Sequence, residues 1–190
     1  MNSRLLYPLI LISILIVLNG CATSARMGQM KAEPQGLVEM KGATPLKHSI
    51  SIKQVEGGTQ TNPIGKSQIE NDAFKDALTI SLLDARLLAG SAEGPYVLEA
   101  KIIDVDQPSF GFSLTATTRI QYTLTRTSDG KEIFRETISA PYTAQFTDSL
   151  IGHVRLKLAN EGSVRSNITR LIEKLYQLDI APQTVSLLSE

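Results

Sequence analysis

The clearest pattern along the chain is the alternation from Phe112 to Thr125. Phe112, Leu114, Ala116, Ile120, Tyr122 and Leu124 fall on one side, interrupted only by Thr118. Ser113, Thr115, Thr117, Arg119, Gln121, Thr123 and Thr125 fall on the other. A period of two with one apolar and one polar side predicts a strand in an antiparallel sheet that is buried on one face and wet on the other. Ser128-Asp129-Gly130 then turns the chain, with Gly130 placed for a left-handed position in a short hairpin loop. The returning strand runs from Lys131 to about Ala140, setting Phe134 and Ile138 against Arg135 and Thr137. Pro141 has no ladder donor, so any continuation through Tyr142, Ala144 and Phe146 is expected to bend or to lie at an edge.

Two earlier stretches show the same period. Tyr96 to Val105 alternates Tyr96, Leu98, Ala100 and Ile102 with Val97, Glu99, Lys101 and Ile103, and Lys47 to Val55 alternates around Ile50 and Ile52. Between them the period changes to that of a helix. Phe74, Ala77, Leu78, Leu82 and Leu88 make an apolar stripe, Ser67-Gln68-Ile69-Glu70 has the spacing of a capping box, and Gly90 stands where a left-handed cap would close it. A second stripe comprises Val154, Leu158, Val164, Ile168, Leu171, Ile172 and Leu175, with Thr147 or Asp148 before it as cap. Asn160-Glu161-Gly162 breaks this stripe, and an interior glycine predicts a kink or two helices there. Two amphipathic helices and a sheet with one apolar face are complementary. The expected fold is therefore α+β: a two-layer domain over residues 47–178, with a four-stranded, mainly antiparallel sheet and two helices on one face, in the order βαβββα.

The N-terminus follows a different logic. Arg4, the apolar run Leu5 to Leu18 and small residues before a cut site read as a secretory signal peptide over residues 1–20. The run is shorter than the roughly 20 apolar residues that a bilayer-spanning helix needs. Leu18-Asn19-Gly20-Cys21 ends it on the chain's single cysteine. Residues 21–46 lack sustained periodicity and contain Gly28, Pro34, Gly36, Gly42 and Pro45. They read as a lipidated N-terminus and flexible tether, whose ~25 residues would reach about 25–30 Å. Residues 179–190 read as a poorly ordered tail.

Composition narrows the function. Formal charge is +0, and without Arg4 the mature chain is slightly acidic, so no basic patch invites nucleic acid. With one cysteine and no tryptophan, an aliphatic core must hold the fold without an internal disulfide. The two histidines, His48 and His153, are far apart and in no metal-binding spacing. No nucleophile elbow, phosphate loop, dinucleotide fingerprint or hexapeptide repeat occurs; Gly65-Lys66-Ser67 lacks the upstream glycine that a phosphate loop requires. Asp104 and Asp106 could pair as acid and base, though exposed carboxylates beside a turn are commoner. Glu161 near an apolar stripe needs a partner, and Arg165 one turn later is the expected one. The expectation is a protein that is not an enzyme and needs no cofactor or metal.

Contact surfaces remain. Phe110 in the Phe110-Gly111-Phe112 loop is open to a partner or to lipid, whereas Phe112 belongs to the inward set. Val97, Ile103 and Val105 are apolar on what should be the wet face of their strand, so they form a partner surface or lie under the tether or tail.

Leu18-Asn19-Gly20-Cys21 resembles the lipobox of bacterial lipoproteins, with Cys21 as the acylated residue. In that family the Cys sulfur receives a diacylglyceryl group, the signal is removed and the new N-terminus is acylated. Ala22 stands where Asp tends to retain such proteins in the inner membrane, so the resemblance implies the periplasmic face of the outer membrane. Lipobox, tether and element order together resemble small outer-membrane lipoproteins of the LptE-like, lipopolysaccharide-assembly kind and the YajG-type kind. This implies an accessory or scaffolding subunit in envelope assembly or transport, held to the membrane through Cys21, with an envelope protein or glycolipid as partner. Two other readings stay open. One is a carrier of an apolar ligand between sheet and helices, lined by Leu98, Ile102, Leu114 and Ile120. The other is an envelope enzyme built around Asp104, Asp106 or Glu161.

Overall fold

The computed structural model describes residues 23–33, 44–60 and 68–180. The elements are α1 (Met27–Met30), β1 (Ile50–Glu56), α2 (Asn71–Asp84), β2 (Tyr96–Asp106), β3 (Leu114–Arg126), β4 (Glu132–Ala144) and α3 (Gly152–Gln177), with a 3-10 turn at Phe146–Asp148. The sheet order is β1-β2-β3-β4, with β1 and β2 parallel and the other pairs antiparallel. Helices pack on one face, so the α+β, four-stranded, mainly antiparallel architecture is as the alternation predicts. Signal peptide residues 1–20, Cys21 and residues 181–190 of the tail lie outside the described residues.

The hairpin forms where its glycine sits. Gly130 has φ 67°, and the Asp129 carboxylate accepts the Lys131 N–H at 3.1 Å. Strand β4 continues through Pro141 to Ala144 as an edge strand, where the missing N–H costs no ladder bond.

Both helices differ from their sequence patterns at the ends. Helix α2 starts at Asn71 with Glu70 as its cap residue, later than the Ser67 capping box would place it. Ser67 lies outside the described residues. The Glu70 carboxylate accepts the Ser24 hydroxyl, and Asn71 Oδ1 accepts the Gly58 N–H at 2.7 Å. The helix also ends before Gly90. Arg86 takes the left-handed position at φ 56°, and Ala89 N–H already donates to Ile50 C=O at 2.8 Å. Burial of Leu87 and that bond to β1 draw the chain out of the helix early.

Helix α3 is continuous through Gly162, so two separate helices do not form. Its opening turns bury Arg155, Leu156 and Ala159, while Val154 and Leu158 are only partly covered. Its middle presses on the sheet so closely that a Cβ on Gly162 would lie 2.2 Å from the Tyr142 ring. The next residues bind the sheet backbone directly. Ser163 Oγ accepts the Thr118 N–H at 2.8 Å and donates to Ala140 C=O at 2.7 Å. Asn167 donates to Ile138 C=O at 2.9 Å and accepts the Tyr122 hydroxyl at 3.0 Å. Thr118, the polar residue on the apolar side of β3, is therefore fully buried as part of this joint. Burial pushes the Tyr122 phenol well above its ordinary pKa.

Gly162→Ala forces the helix off the Tyr142 ring. It should lower stability by about 1–3 kcal/mol, the usual cost of overpacking. Gly90→Ala, with open space around it, should stay within about 0.5 kcal/mol. Urea unfolding of the two variants checks the pair; equal midpoints would contradict the close approach.

Candidate functional site

Two loops meet at the end of the sheet where β2 finishes and β3 begins. Apolar side chains concentrate there: Phe110 is 89% exposed, Phe112 82%, Leu150 77%, Ile151 55% and Phe146 43%. The first two come from the β2–β3 loop, and the others from the connection between β4 and α3. Phe112 was expected inside by its phase with Leu114. It lies beyond the last register pair of β3, Leu114 with Ala144, so its ring turns out and packs edge-on against Phe146 at 5.9 Å.

The tip is held from beneath. Arg155 is 5% exposed; its guanidinium donates to Gly111 C=O at 2.8 Å and to Ser149 C=O at 2.5 Å. It also stands 5.3 Å from the centre of the Phe146 ring. Ser113 Oγ donates to Gln145 Oε1 at 2.9 Å, which ties one loop to the other. Gln145 and Asp148 cap the 3-10 turn reciprocally, so Asp148 caps this turn, whereas α3 starts later with Ile151 as its cap residue. A small apolar cluster of Leu114, Ala116, Ala144, Leu156 and Ala159 underlies the tip.

The N-terminal segment arrives at the same end. Residues 23–33, read from sequence as part of a free tether, pack on the domain: Ala25, Met30 and Ala32 are buried in the core. Leu46, at the far end of the expected tether, is buried as well. Ala25 N–H donates to Gln68 C=O at 3.1 Å, and Ala32 N–H donates to Ser81 Oγ at 2.9 Å. The strongest hold is on Glu161, whose side chain is 1% exposed. Its carboxylate accepts Arg26 Nε at 3.0 Å, the second guanidinium branch at 3.1 Å and the Arg26 backbone N–H at 2.8 Å. Through this hydrogen bond and charge, Glu161 raises the Arg26 pKa. The expected Glu161–Arg165 pair does not form, because Arg165 turns outward to Glu33 at 3.1 Å and Gln29 C=O at 2.9 Å. Nearer the start of the segment, Lys157 Nζ donates to Thr23 Oγ1 at 2.8 Å.

The outer face of the sheet is less apolar than its sequence implies. A bulge between Ile102 and Asp104 shifts the register, so Asp104 opposes Arg119 and Val105 opposes Thr118. Val105 therefore turns to the helical side and packs on the core. Ile103 is the bulged residue and stands 49% exposed, and Val97 is half-buried opposite Thr125. Asp104 pairs with Arg119 at 2.7 Å on that outer face, and Asp106 is exposed at the end of β2. His48 is exposed in a turn and His153 opens α3. Leu98, Ile102, Leu114 and Ile120 are buried in the core. Among the described residues, no group of three or more His, Cys, Asp or Glu could hold a metal ion. No helix among them is long and apolar enough to cross a membrane.

Of the contact residues read from sequence, the structure sets Phe110 on the tip and separates it from Val97, Ile103 and Val105. Sequence reasoning missed Leu150, Ile151 and Arg26. The adjacent Leu150-Ile151, ahead of a helix and outside its stripe, was the available signal for the tip. Arg26 carried none, since its partner lies 135 residues away.

No protein-family model matches the chain, and no curated protein matches it. Among solved structures it is similar to protein XCC0632 from Xanthomonas campestris, of the family DUF330. The two share 14% identity over 68% of this chain and 84% of that one, with TM-score 0.53. That likeness is one of fold. Looser likenesses are to the PelC dodecamer from Paraburkholderia phytofirmans (13% identity, 71% of this chain, 91% of that one, TM-score 0.46) and lipoprotein GNA1162 from Neisseria meningitidis (11%, 68%, 98%, TM-score 0.41).

Arg26→Ala leaves the Glu161 carboxylate buried without its cation. The expected loss is about 1–3 kcal/mol, together with faster amide exchange at Ala25 and Ala32 as the segment lifts. Hydrogen exchange read by mass spectrometry checks it; unchanged protection at Ala32 would show that other contacts hold the segment.

Proposed function

We propose that the chain is a bacterial envelope lipoprotein, acylated at Cys21 and held at the periplasmic face of the outer membrane. Its role is that of a non-enzymatic accessory or scaffolding subunit in envelope assembly or transport, with an envelope protein or a glycolipid as partner. The observation that carries this reading is Leu18-Asn19-Gly20-Cys21, a lipobox on the only cysteine of the chain. Ala22, in place of Asp, supports the outer membrane, and the likeness in element order to LptE-like and YajG-type lipoproteins belongs to the same reading. Interior polar groups serve the fold. Ser163, Asn167, Thr118 and Tyr122 bind one another and the sheet backbone, and Glu161 binds Arg26. These groups join elements and do not converge on an open cleft.

Cys21→Ser in the full-length chain should abolish incorporation of radiolabelled palmitate and move the protein from the membrane to the soluble fraction. Unchanged labelling and partitioning would overturn the lipoprotein reading. The accessory role is checked by crosslinking in intact envelopes: the lipidated protein should yield a discrete envelope protein or glycolipid adduct, and Cys21→Ser should lose it.

A further inference from the structure

Exposed apolar side chains are common on proteins when scattered singly, as Leu83 and Ile103 are here. Those of the tip gather on two loops that Arg155, the Ser113–Gln145 bond and the Phe112–Phe146 contact hold together. Across residues 107–113 and 145–153, Asp148 is the sole Asp, Glu, Lys or Arg, and its carboxylate accepts the Gln145 N–H within the turn at 2.7 Å. Arg155 occupies the Gly111 and Ser149 carbonyls. The tip thus presents large apolar side chains with a single charged side chain, Asp148, which is held within the turn.

The hold on Thr23 points to what this surface meets. Thr23 is hydrogen-bonded to Lys157, and Lys157 follows Gly152, where α3 leaves the tip, by a rise of about 7.5 Å. Cys21 precedes Thr23 by a stretch of chain that spans at most about 7 Å. Two residues of chain before Thr23 therefore reach no farther than the end of the domain that carries the tip and its surroundings. We propose that Phe110, Phe112, Phe146, Leu150 and Ile151 form a membrane-docking tip that enters the bilayer interface beside an acylated Cys21. This inference rests on the lipoprotein reading and adds to it the surface that meets the lipid. Rings and aliphatic side chains of such a tip sit ~5–10 Å into the headgroup and acyl boundary. Lys157, set back from the apex, comes level with the phosphates, where basic groups are favoured.

The chain has no tryptophan, so single introduced tryptophans report position. Phe112→Trp and Leu150→Trp probe the tip. Leu83→Trp is the control, on the last turn of α2 toward the start of β2, at the opposite end of the sheet. Each full-length protein is purified in its lipidated form and reconstituted into phosphatidylethanolamine–phosphatidylglycerol vesicles with and without acyl-brominated lipid. The expected result is a blue shift on reconstitution and severalfold stronger bromine quenching at the two tip positions than at Leu83→Trp. Protein that carries the acyl label and floats with vesicles, yet is quenched equally at all three positions, would overturn the docking tip and leave the anchor intact. Protein without label that fails to float would overturn the anchor reading and this inference with it. A blue shift at the tip before vesicles are added, with sedimentation as an oligomer, would identify the tip as an interface between copies and also overturn the proposal.

Discussion

A carboxylate buried in the middle of a helix must be neutralised where it stands, and Glu161 sets that requirement for the whole molecule. At 1% exposure it has almost no contact with water, and burying an unpaired charge is among the most expensive things a fold can do. Arg26 meets the requirement with both branches of its guanidinium and with its backbone N–H. Because the backbone takes part, the segment around Arg26 is fixed as well as its side chain. Ala25, Met30 and Ala32 enter the core with it. The N-terminal segment is thereby a structural layer in contact with both α2 and α3.

The depth of Glu161 follows from the approach of α3 to the sheet. Gly162 gives the Tyr142 ring its room, and Ser163 and Asn167 replace apolar knobs with hydrogen bonds to β3 and β4. Directional bonds fix the helix more narrowly than Leu or Val contacts would, since a sliding helix would leave the carbonyls of Ala140 and Ile138 without these donors. The side chains in this joint answer one another: the Asn167 amide donates to sheet carbonyls and accepts from Tyr122. Buried polar groups matched in this way hold one arrangement, because each loses its partner in any other.

Much of this fold is legible in the sequence because it depends on local period. The strands, their wet and dry faces, the hairpin at Gly130 and the two long helices all follow from spacing within a few residues. What sequence reasoning missed depends on distant partners or on small changes of phase. A single bulge at Ile103 moves Val105 from the outer face to the core side, and no residue in β2 announces it. Phe112 has the phase of an inward residue, but pairing stops at Leu114. Gly162 looks like a helix breaker until the Tyr142 ring is placed against it. The break in the α3 stripe at Asn160-Glu161-Gly162 was visible, but its cause lay in Arg26 and Tyr142, on other elements. Of the candidate site, Phe110 was legible as an open aromatic; its grouping with Leu150 and Ile151 required the topology.

A docked N-terminus changes what an anchor at Cys21 would do. A free leash of ~25 residues allows excursions of about 25–30 Å, and the domain would then present every face to the membrane in turn. With Thr23 held at Lys157, only Ala22 separates the cysteine from the folded domain. Orientation then becomes a property of the fold, set by the same Arg26–Glu161 contact that closes the core. An acyl anchor at that point would keep the Phe112–Leu150 end at the lipid and direct the start of β2 and the end of α3 away from it. The outer sheet face would then stand along the membrane normal with its ion pairs, Lys53–Glu99 and Arg119–Asp104, in water. A long tether would make a lipid anchor a means of confinement and a short one a means of alignment; with residues 23–33 packed on the domain around the buried Glu161 carboxylate, an anchor at Cys21 would be of the second kind.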